Sequence, residues 1–150
     1  MSLPLDQDGY VRRQCPQCER EFKWHHGPIE GAPIADAAPE DYFCPYCGES
    51  AAPDQWYTRE QVATIRGTAM QAVLPEIQSE LQEAVAPLQR SGFIKADVVV
   101  NHPSPPPPLL EGDDMVAVAS PCHAYEPVKV DEAWDAPLHC LVCGNRYVVG

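Results

Sequence analysis

CPQC at residues 15–18 and CPYCG at residues 44–48 are the stretches that decide the fold. Each places two cysteines three positions apart, so that one tight turn can bring both sulfurs to a single ion at about 2.3 Å. Pro16 and Pro45 fix φ in these turns, and Gly48 can adopt the left-handed conformation that follows such a turn. Two facing turns can enclose a tetrahedral ion, so a metal site is predicted at Cys15, Cys18, Cys44 and Cys47.

The competing interpretation of these cysteine pairs is a set of disulfides. Residues 1–14 contain no apolar segment like that of a secretory signal, so we expect a cytoplasmic protein in a reducing environment, where disulfides do not persist. The chain also has seven cysteines, and this odd number fits a four-cysteine site plus a three-cysteine site better than disulfides. We therefore predict that the cysteines bind metal.

A third pair, Cys140 and Cys143, lies near the C-terminus with Cys122 as an isolated thiol upstream. Three thiolates need a fourth donor to close a tetrahedral site. His123 is adjacent to Cys122, in the half-site that lacks a donor, whereas His139 is adjacent to a ligand already in use. We predict a second site of Cys122, His123, Cys140 and Cys143, with His139 as the alternative fourth ligand. The competing interpretation is a degenerate turn without metal, in which Cys122 is a small buried hydrophobe.

Length and composition limit the class of protein. The chain has 150 residues, 17 of them proline, which suits one compact domain or two small ones. No apolar run approaches the roughly 18 residues that a membrane span needs, so we expect a soluble protein. Domains this small bury too little apolar surface to fold unaided, and metal binding is expected to supply much of their folding free energy.

The formal net charge of −12 argues against non-specific binding to nucleic acid, because such a surface repels phosphate. A local exception lies around the first turn, where Arg12, Arg13, Arg20 and Lys23 form a candidate nucleic-acid-binding patch. The competing and favoured interpretation is a solvated face whose cations offset the charge of the thiolates.

The chain is predicted to have three parts. In residues 1–57, Tyr10–Val11 enters the first turn and Glu21–Trp24 leaves it with period-2 alternation, which predicts a hairpin. Residues 58–92 carry the one long helix, predicted over 58–90. Residues 93–150 contain the second metal site, and the following strands are predicted there: Phe93–Ile94, Val98–Val100, Met115–Val118, Pro127–Val130 and Arg146–Val149.

The helix is predicted from a capping box at Thr58 and Gln61 and from one apolar stripe. Pro75 falls inside the pattern and is expected to kink or divide the helix. The stripe is too long for one small metal domain to cover, so it packs on the C-terminal part or docks on another chain. The predicted surface for a protein partner or for self-association is its centre, formed by Val73, Ile77 and Leu81.

The proline run at residues 103–108 lacks the N–H donors of a sheet, which predicts an extended and solvated loop. Such a run can be a ligand of SH3-like domains. GC-rich bacterial coding sequences produce the same run as a spacer, and we favour the spacer.

The first 57 residues resemble a zinc ribbon, and GAPIAD at 31–36 followed by PEDYFCPYCG at 39–48 is similar to the run that leads into the second metal turn of rubredoxins. This resemblance covers about a third of the chain. Glu19 stands where the first rubredoxin turn has glycine, and the loop between the turns is shorter. The resemblance implies that the four metal ligands are Cys15, Cys18, Cys44 and Cys47.

These observations predict a small, metal-stabilised α+β fold. Two zinc ribbons built of short β-hairpins, at residues 1–57 and 93–150, are joined by a long, Pro-kinked α-helix within 58–92. We expect two zinc ions, and iron is an alternative at the first site.

No catalytic constellation is recognisable: the chain lacks an HExxH motif, a phosphate-binding glycine loop and the HxE element of zinc deaminases. Four-ligand sites are also closed to substrate. The predicted function is a non-catalytic zinc-binding module that recruits or modulates a protein partner. The alternatives are a nucleic-acid-binding zinc ribbon that uses the Arg12–Lys23 patch and a rubredoxin-like iron electron carrier.

Overall fold

The computed structural model describes residues 2–34, 37–92 and 99–149. Its strands are β1 (Tyr10–Gln14), β2 (Glu21–His25), β3 (Tyr42–Phe43), β4 (Ser50–Ala51), β5 (Val116–Val118), β6 (Val128–Val130), β7 (Leu138–His139) and β8 (Arg146–Tyr147). The long helix α1 spans Arg59–Arg90, and a short 3₁₀ turn precedes it at Pro53–Gln55.

The chain divides into two compact units. The first, which we call the cysteine unit, combines Met1–Arg59 with Leu109–Gly150, and the second, the helical unit, is Glu60–Pro108. This division differs from the predicted one, in which residues 93–150 form a domain of their own. The reason is that the N-terminal and C-terminal cysteine-containing halves of the chain share a β-sheet.

That sheet has four antiparallel strands in the order β1-β2-β6-β5. The β1–β2 hairpin confirms the prediction around the first turn, with Arg12 opposite Lys23. At the centre β2 pairs with β6, which places Lys23 opposite Lys129 and Trp24 opposite Val128. The N-terminal and C-terminal halves therefore meet strand to strand.

The sheet alternates between an apolar face and a charged face, as the period of a strand requires. Phe22 and Trp24 point to the core, whereas the intervening Lys23 lies on the other face. One core serves both halves, with Phe22, Tyr46 and Trp56 from the first half in the same cluster as Val128, Val130, Leu138 and Leu141 from the second.

The cysteine unit is a structural repeat. In the first half, β1 and β2 flank the CPQC turn, and the β3–β4 hairpin carries CPYC. In the second half, β5 and β6 flank Cys122, and the β7–β8 hairpin carries CLVC. Because β2 and β6 pair at the centre of the sheet, the order β1-β2-β6-β5 gives the halves an approximate two-fold relationship.

Helix α1 is continuous over 32 residues, and Pro75 and Pro87 both lie inside it. Of the two outcomes expected at Pro75, a kink or a division of the helix, the division does not occur. Much of the predicted stripe is exposed, with Val73, Ile77 and Leu81 at 44, 40 and 44% exposure, whereas Leu74 is buried. Among the described residues, no helix is long and apolar enough to cross a membrane.

Within the helical unit, the segment before and through the proline run lies along α1. The side-chain amide of Gln71 donates to the carbonyl of Pro103, and Gln78 Oε1 lies 2.6 Å from His102 Nε2. Pro106 packs on Gly67, where a Cβ would lie 3.1 Å from the proline ring. Residues 103–108 contain no helix or strand and are exposed apart from the partly buried Pro106, which confirms the prediction of an extended, solvated loop.

Of the strands predicted in residues 93–100, the structure describes only the last two residues. Phe93–Ile94 and Val98 lie outside the described residues, and Val99 and Val100 are not in a strand. The other predicted strands of the C-terminal half are present with shorter bounds, as β5, β6 and β8.

Candidate metal centres

The first centre brings together the sulfurs of Cys15, Cys18, Cys44 and Cys47, which all lie within 4.8 Å of one another. Cys15 Sγ lies 3.7 Å from Cys47 Sγ, and Cys18 Sγ lies 3.7 Å from Cys44 Sγ. A tetrahedron with metal–sulfur bonds of about 2.3 Å has an edge of about 3.8 Å. The spacing of the four thiols therefore matches a tetrahedral site that could hold a metal ion.

The turns present their N–H groups to the sulfurs. The backbone N–H groups of Gln17 and Cys18 lie 3.3 and 3.4 Å from Cys15 Sγ. Burial acts to raise the pKa of the Cys15 thiol, but these donors outweigh it and the pKa is lowered. Such donors stabilise a thiolate, which is the form that binds metal.

Each CPxC turn closes on the residue after its second cysteine, and this residue has a positive φ. Gly48 has a φ of 76° and its N–H donates to the carbonyl of Cys44 over 2.9 Å. Glu19 occupies the same place in the first turn, with a φ of 60°, and its N–H donates to the Cys15 carbonyl over 3.0 Å. Among the described residues, Glu19 is the one non-glycine residue with a positive φ.

The second centre brings together Cys122, His123, Cys140 and Cys143, whose donor atoms also lie within 4.8 Å of one another. Cys122 Sγ is 3.4 Å from Cys143 Sγ, and His123 Nδ1 is 3.3 Å from Cys140 Sγ. A tetrahedral site gives a sulfur–nitrogen edge of about 3.6 Å. Three thiols and one imidazole thus form a second four-donor set that could hold a metal ion.

His139, the alternative fourth ligand, has another position. Its backbone N–H donates to the carbonyl of Pro45 over 2.8 Å, and its ring lies against Gly48. The structure therefore places His123, and not His139, beside the three thiols of the second centre.

The two centres are joined through their second turns. The N–H of Phe43 donates to the Leu141 carbonyl over 2.9 Å, and the N–H of His139 makes the corresponding bond to Pro45. The ring of Phe43 lies against Gly144 in the same way as the ring of His139 lies against Gly48. The residue before each cysteine pair thus packs on the glycine after the other pair.

Ser120 is a buried polar residue at the second centre that the sequence reasoning missed. Its hydroxyl lies 3.2 Å from Cys140 Sγ, toward which it donates, and accepts the N–H of His123 over 3.1 Å. The signal in the sequence was the stretch Ser120-Pro121-Cys122-His123, which resembles Cys15-Pro16-Gln17-Cys18 with different donors.

The second centre is open to solvent on the side of Cys122. Cys122 is exposed, and with His123 it lines an open cavity of about 890 Å³. The loop that follows β2 also lines this cavity, through residues 27–28, 32–34 and 37–39. All seven cysteines are free thiols, so the structure does not contain the disulfides considered as the alternative.

The four basic residues around the first turn do not form a free basic patch. Arg12 binds Glu111 and Asp114, each over 2.7 Å, and Lys23 is fully buried in ion pairs with the same two carboxylates. The other two stack on aromatic rings, Arg13 over Trp24 and Tyr57 and Arg20 over Trp134 and Tyr46.

The charged face of the sheet is a network centred on Asp6. Asp6 Oδ2 lies 2.8 Å from Lys129 Nζ and 3.4 Å from Lys23 Nζ, so it lies between the two facing lysines. Burial acts to raise the pKa of Asp6, but hydrogen bonds from Lys129 and from the N–H groups of Tyr10 and Asp8 outweigh it and lower the pKa to about 2. Further carboxylates complete the neutralisation of the two like charges, with Glu111 and Asp114 on Lys23 and with Asp8 and Asp113 on Lys129.

Comparison of the chain with protein-family models, with curated proteins and with solved structures finds no match. The resemblance to zinc ribbons therefore stands on the two donor sets alone. These sets are consistent with zinc-ribbon-like sites.

Proposed function

We propose that this protein is a non-catalytic zinc-binding module in which two structural zinc ions hold the cysteine unit together and the helical unit presents a surface to a protein partner. The observation that carries the metal part of the proposal is the pair of four-donor sets, each drawn from two turns of one core. A set of four protein donors leaves no open coordination position, which supports a structural role over a catalytic one.

Zinc is proposed at both centres from the chemistry of the donors. Four thiolates, or three thiolates and an imidazole, in tetrahedral geometry are typical ligand sets of structural zinc. Iron remains the alternative at the first centre, because four thiolates also suit iron. Colour separates the two: protein purified from iron-replete cells is red with iron and colourless with zinc.

The partner surface is proposed on the exposed stripe of α1. Large contiguous apolar patches on a protein surface mark interaction sites. Val73, Ile77 and Leu81 are each about two-fifths exposed and lie at spacings of four residues, on one face of the helix.

Nucleic-acid binding through Arg12–Lys23 is the weaker candidate. Arg12 and Lys23 are paired with Glu111 and Asp114, so binding phosphate would require breaking these contacts. The net charge of −12 also opposes binding to phosphate, because it repels anions.

The experiment that tests a structural role for metal is removal of the ions. All three tryptophans lie in the cysteine unit, so their fluorescence reports on its fold. A chelator is expected to unfold this unit, and readdition of zinc to restore it. Full retention of the native emission after the metal has been removed would refute the structural role.

A further inference from the structure

The second centre has an unusual half-site, because the stretch that carries Cys122 is not a CxxC turn. Its four residues are Ser120, Pro121, Cys122 and His123, and the equivalent turn of the first centre has Cys15, Pro16, Gln17 and Cys18. Both turns have the same place in the repeat, since one lies between β1 and β2 and the other between β5 and β6.

The burial of the two turns matches position by position. Cys15 and Ser120 are buried, Gln17 and Cys122 are exposed, and the fourth residues, Cys18 and His123, are intermediate. Proline is second in both turns and exposed in both. Ser120 thus occupies the place of Cys15, and Cys122 the place of the non-ligand Gln17.

The hydrogen bonds of the first residue match as well. Cys15 Sγ accepts the backbone N–H of the fourth residue of its turn, Cys18, over 3.4 Å. The Ser120 hydroxyl accepts the N–H of His123, the fourth residue of its own turn, over 3.1 Å. The same hydroxyl is 3.2 Å from Cys140 Sγ and 3.7 Å from Cys122 Sγ, so it lies at the edge of the donor set.

We propose that Ser120–His123 is a shifted form of the Cys15–Cys18 turn, in which the thiolate has moved from the first position to the third and Ser120 remains as the positioning residue of the second centre. The hydroxyl holds the backbone of His123 by accepting its N–H and donates to the Cys140 thiolate. This inference rests on the proposed metal binding at the second centre. Partners of this kind around a metal change its affinity by about 10- to 100-fold.

Returning the thiolate to the first position tests the shift. Cys122→Gln alone is expected to lose the second zinc ion, because two thiolates and one imidazole remain. Adding Ser120→Cys to Cys122→Gln is expected to restore it, because the new sulfur takes the place that Cys15 Sγ has in the first centre. Native mass spectrometry counts the ions, and cobalt substitution reports the sulfur ligands through their charge-transfer absorption.

Ser120→Ala tests the positioning role separately, with Ser120→Thr as the conservative control. Ser120→Ala is expected to lower the zinc affinity of the second centre about tenfold relative to that of the first centre. Ser120→Thr is expected to restore the ratio of the two affinities. A general loss of stability would lower the zinc affinity of both centres together and leave the ratio of the two affinities unchanged.

The outcomes are distinguishable. A wild-type protein with no second ion contradicts the proposed metal binding itself. A wild-type protein with two ions, a double variant that folds with one, and an unchanged affinity ratio in Ser120→Ala would overturn the shifted turn and the role of Ser120. If the double variant does not fold, the affinity ratio of Ser120→Ala alone decides.

Discussion

The ring of His139 lies so close to Gly48 that a Cβ at residue 48 would be 2.8 Å from its Cδ2 atom. This contact joins the two halves of the cysteine unit, because Gly48 ends the second turn of the first centre and His139 precedes the cysteine pair of the second. Phe43 and Gly144 form the reciprocal contact, with a corresponding distance of 2.7 Å. The two candidate metal centres are therefore parts of one packed core, and each is expected to depend on the other.

Gly48→Ala and Gly144→Ala test this contact. Each adds a methyl group that collides with a ring and forces a non-glycine residue into a positive φ, so we expect each to cost more than about 2 kcal/mol of unfolding free energy. Gly27→Ala is the matched control, because its φ is 81° and no atom lies within 4 Å of an added Cβ. Denaturant unfolding followed by tryptophan fluorescence measures all three. Equal losses of unfolding free energy in Gly48→Ala and Gly27→Ala would show that the destabilisation comes from strain in φ and not from the contact with His139.

Glu19 has the left-handed conformation that glycine has in the second turn, with a φ of 60°. Glu19→Gly is expected to be more stable than Glu19→Ala by about 1 kcal/mol, because only glycine adopts this conformation without steric cost. The comparison at one position also removes the effect of the ion pair that Glu19 forms with Arg59, since both variants lose it. Thermal unfolding at saturating zinc is the measurement, and an alanine variant as stable as the glycine variant would contradict the assignment.

The buried carboxylate of Asp6 makes stability depend on pH. Its pKa is lowered from 3.8 to about 2 in the fold, so ionised Asp6 stabilises the folded state above about pH 4. This contribution is lost as the pH falls through about 2. At pH 7 ionised Asp6 contributes about 2 kcal/mol to the free energy of unfolding, and we expect Asp6→Asn to lose this contribution.

The control for Asp6 is Asp8→Asn, which removes a half-exposed carboxylate that binds the same lysine, Lys129. An exposed partner contributes less than about 1 kcal/mol. Unfolding at pH 7 and constant free zinc compares the two variants. Similar small losses in both would contradict a buried network centred on Asp6.

Removal of one ligand of the first centre is expected to affect the second. Cys44 is fully buried in the core that both halves share, so Cys44→Ser is expected to destabilise the whole cysteine unit and not the N-terminal half alone. The measurement is zinc affinity at the second centre. Unchanged affinity there, with the first ion lost, would show that the halves are independent.

The proposed partner surface is tested on α1 by the double variant Ile77→Asp, Leu81→Asp. It should keep both ions and the fluorescence of the cysteine unit while losing self-association or partner binding, because charges are not tolerated in an apolar interface. Ser79→Asp, at an exposed position of the same helix, is the control. Light scattering that finds wild type and double variant equally monomeric, together with unchanged recovery of partners, would contradict this surface.

The features that could be predicted from the sequence are those set by residues close to one another in the chain. The spacing of Cys15, Cys18, Cys44 and Cys47 encodes a turn geometry, and the structure brings these sulfurs together. The start and end of α1 were also predictable, because capping and periodicity are local signals. The preference for His123 over His139 rested on its place in the half-site, and the structure positions the two rings accordingly.

The shared sheet could not be predicted in the same way. Pairing of β2 with β6 joins residues about a hundred positions apart, through strands of only five and three residues, and such short strands carry no signal for their partner. For the same reason the sequence favoured a solvated face for Arg12 and Lys23, with a nucleic-acid-binding patch as the alternative, whereas in the fold both pair with Glu111 and Asp114 and Lys23 is fully buried.

The most direct test of the account is the number and identity of the bound ions in protein purified under reducing conditions. Elemental analysis together with native mass spectrometry is expected to find two zinc ions per chain, bound by four cysteines at one centre and by three cysteines and His123 at the other. His123→Ala should lower the count to one, and His139→Ala should leave it at two. A wild-type chain that binds no metal under these conditions would contradict the central claim.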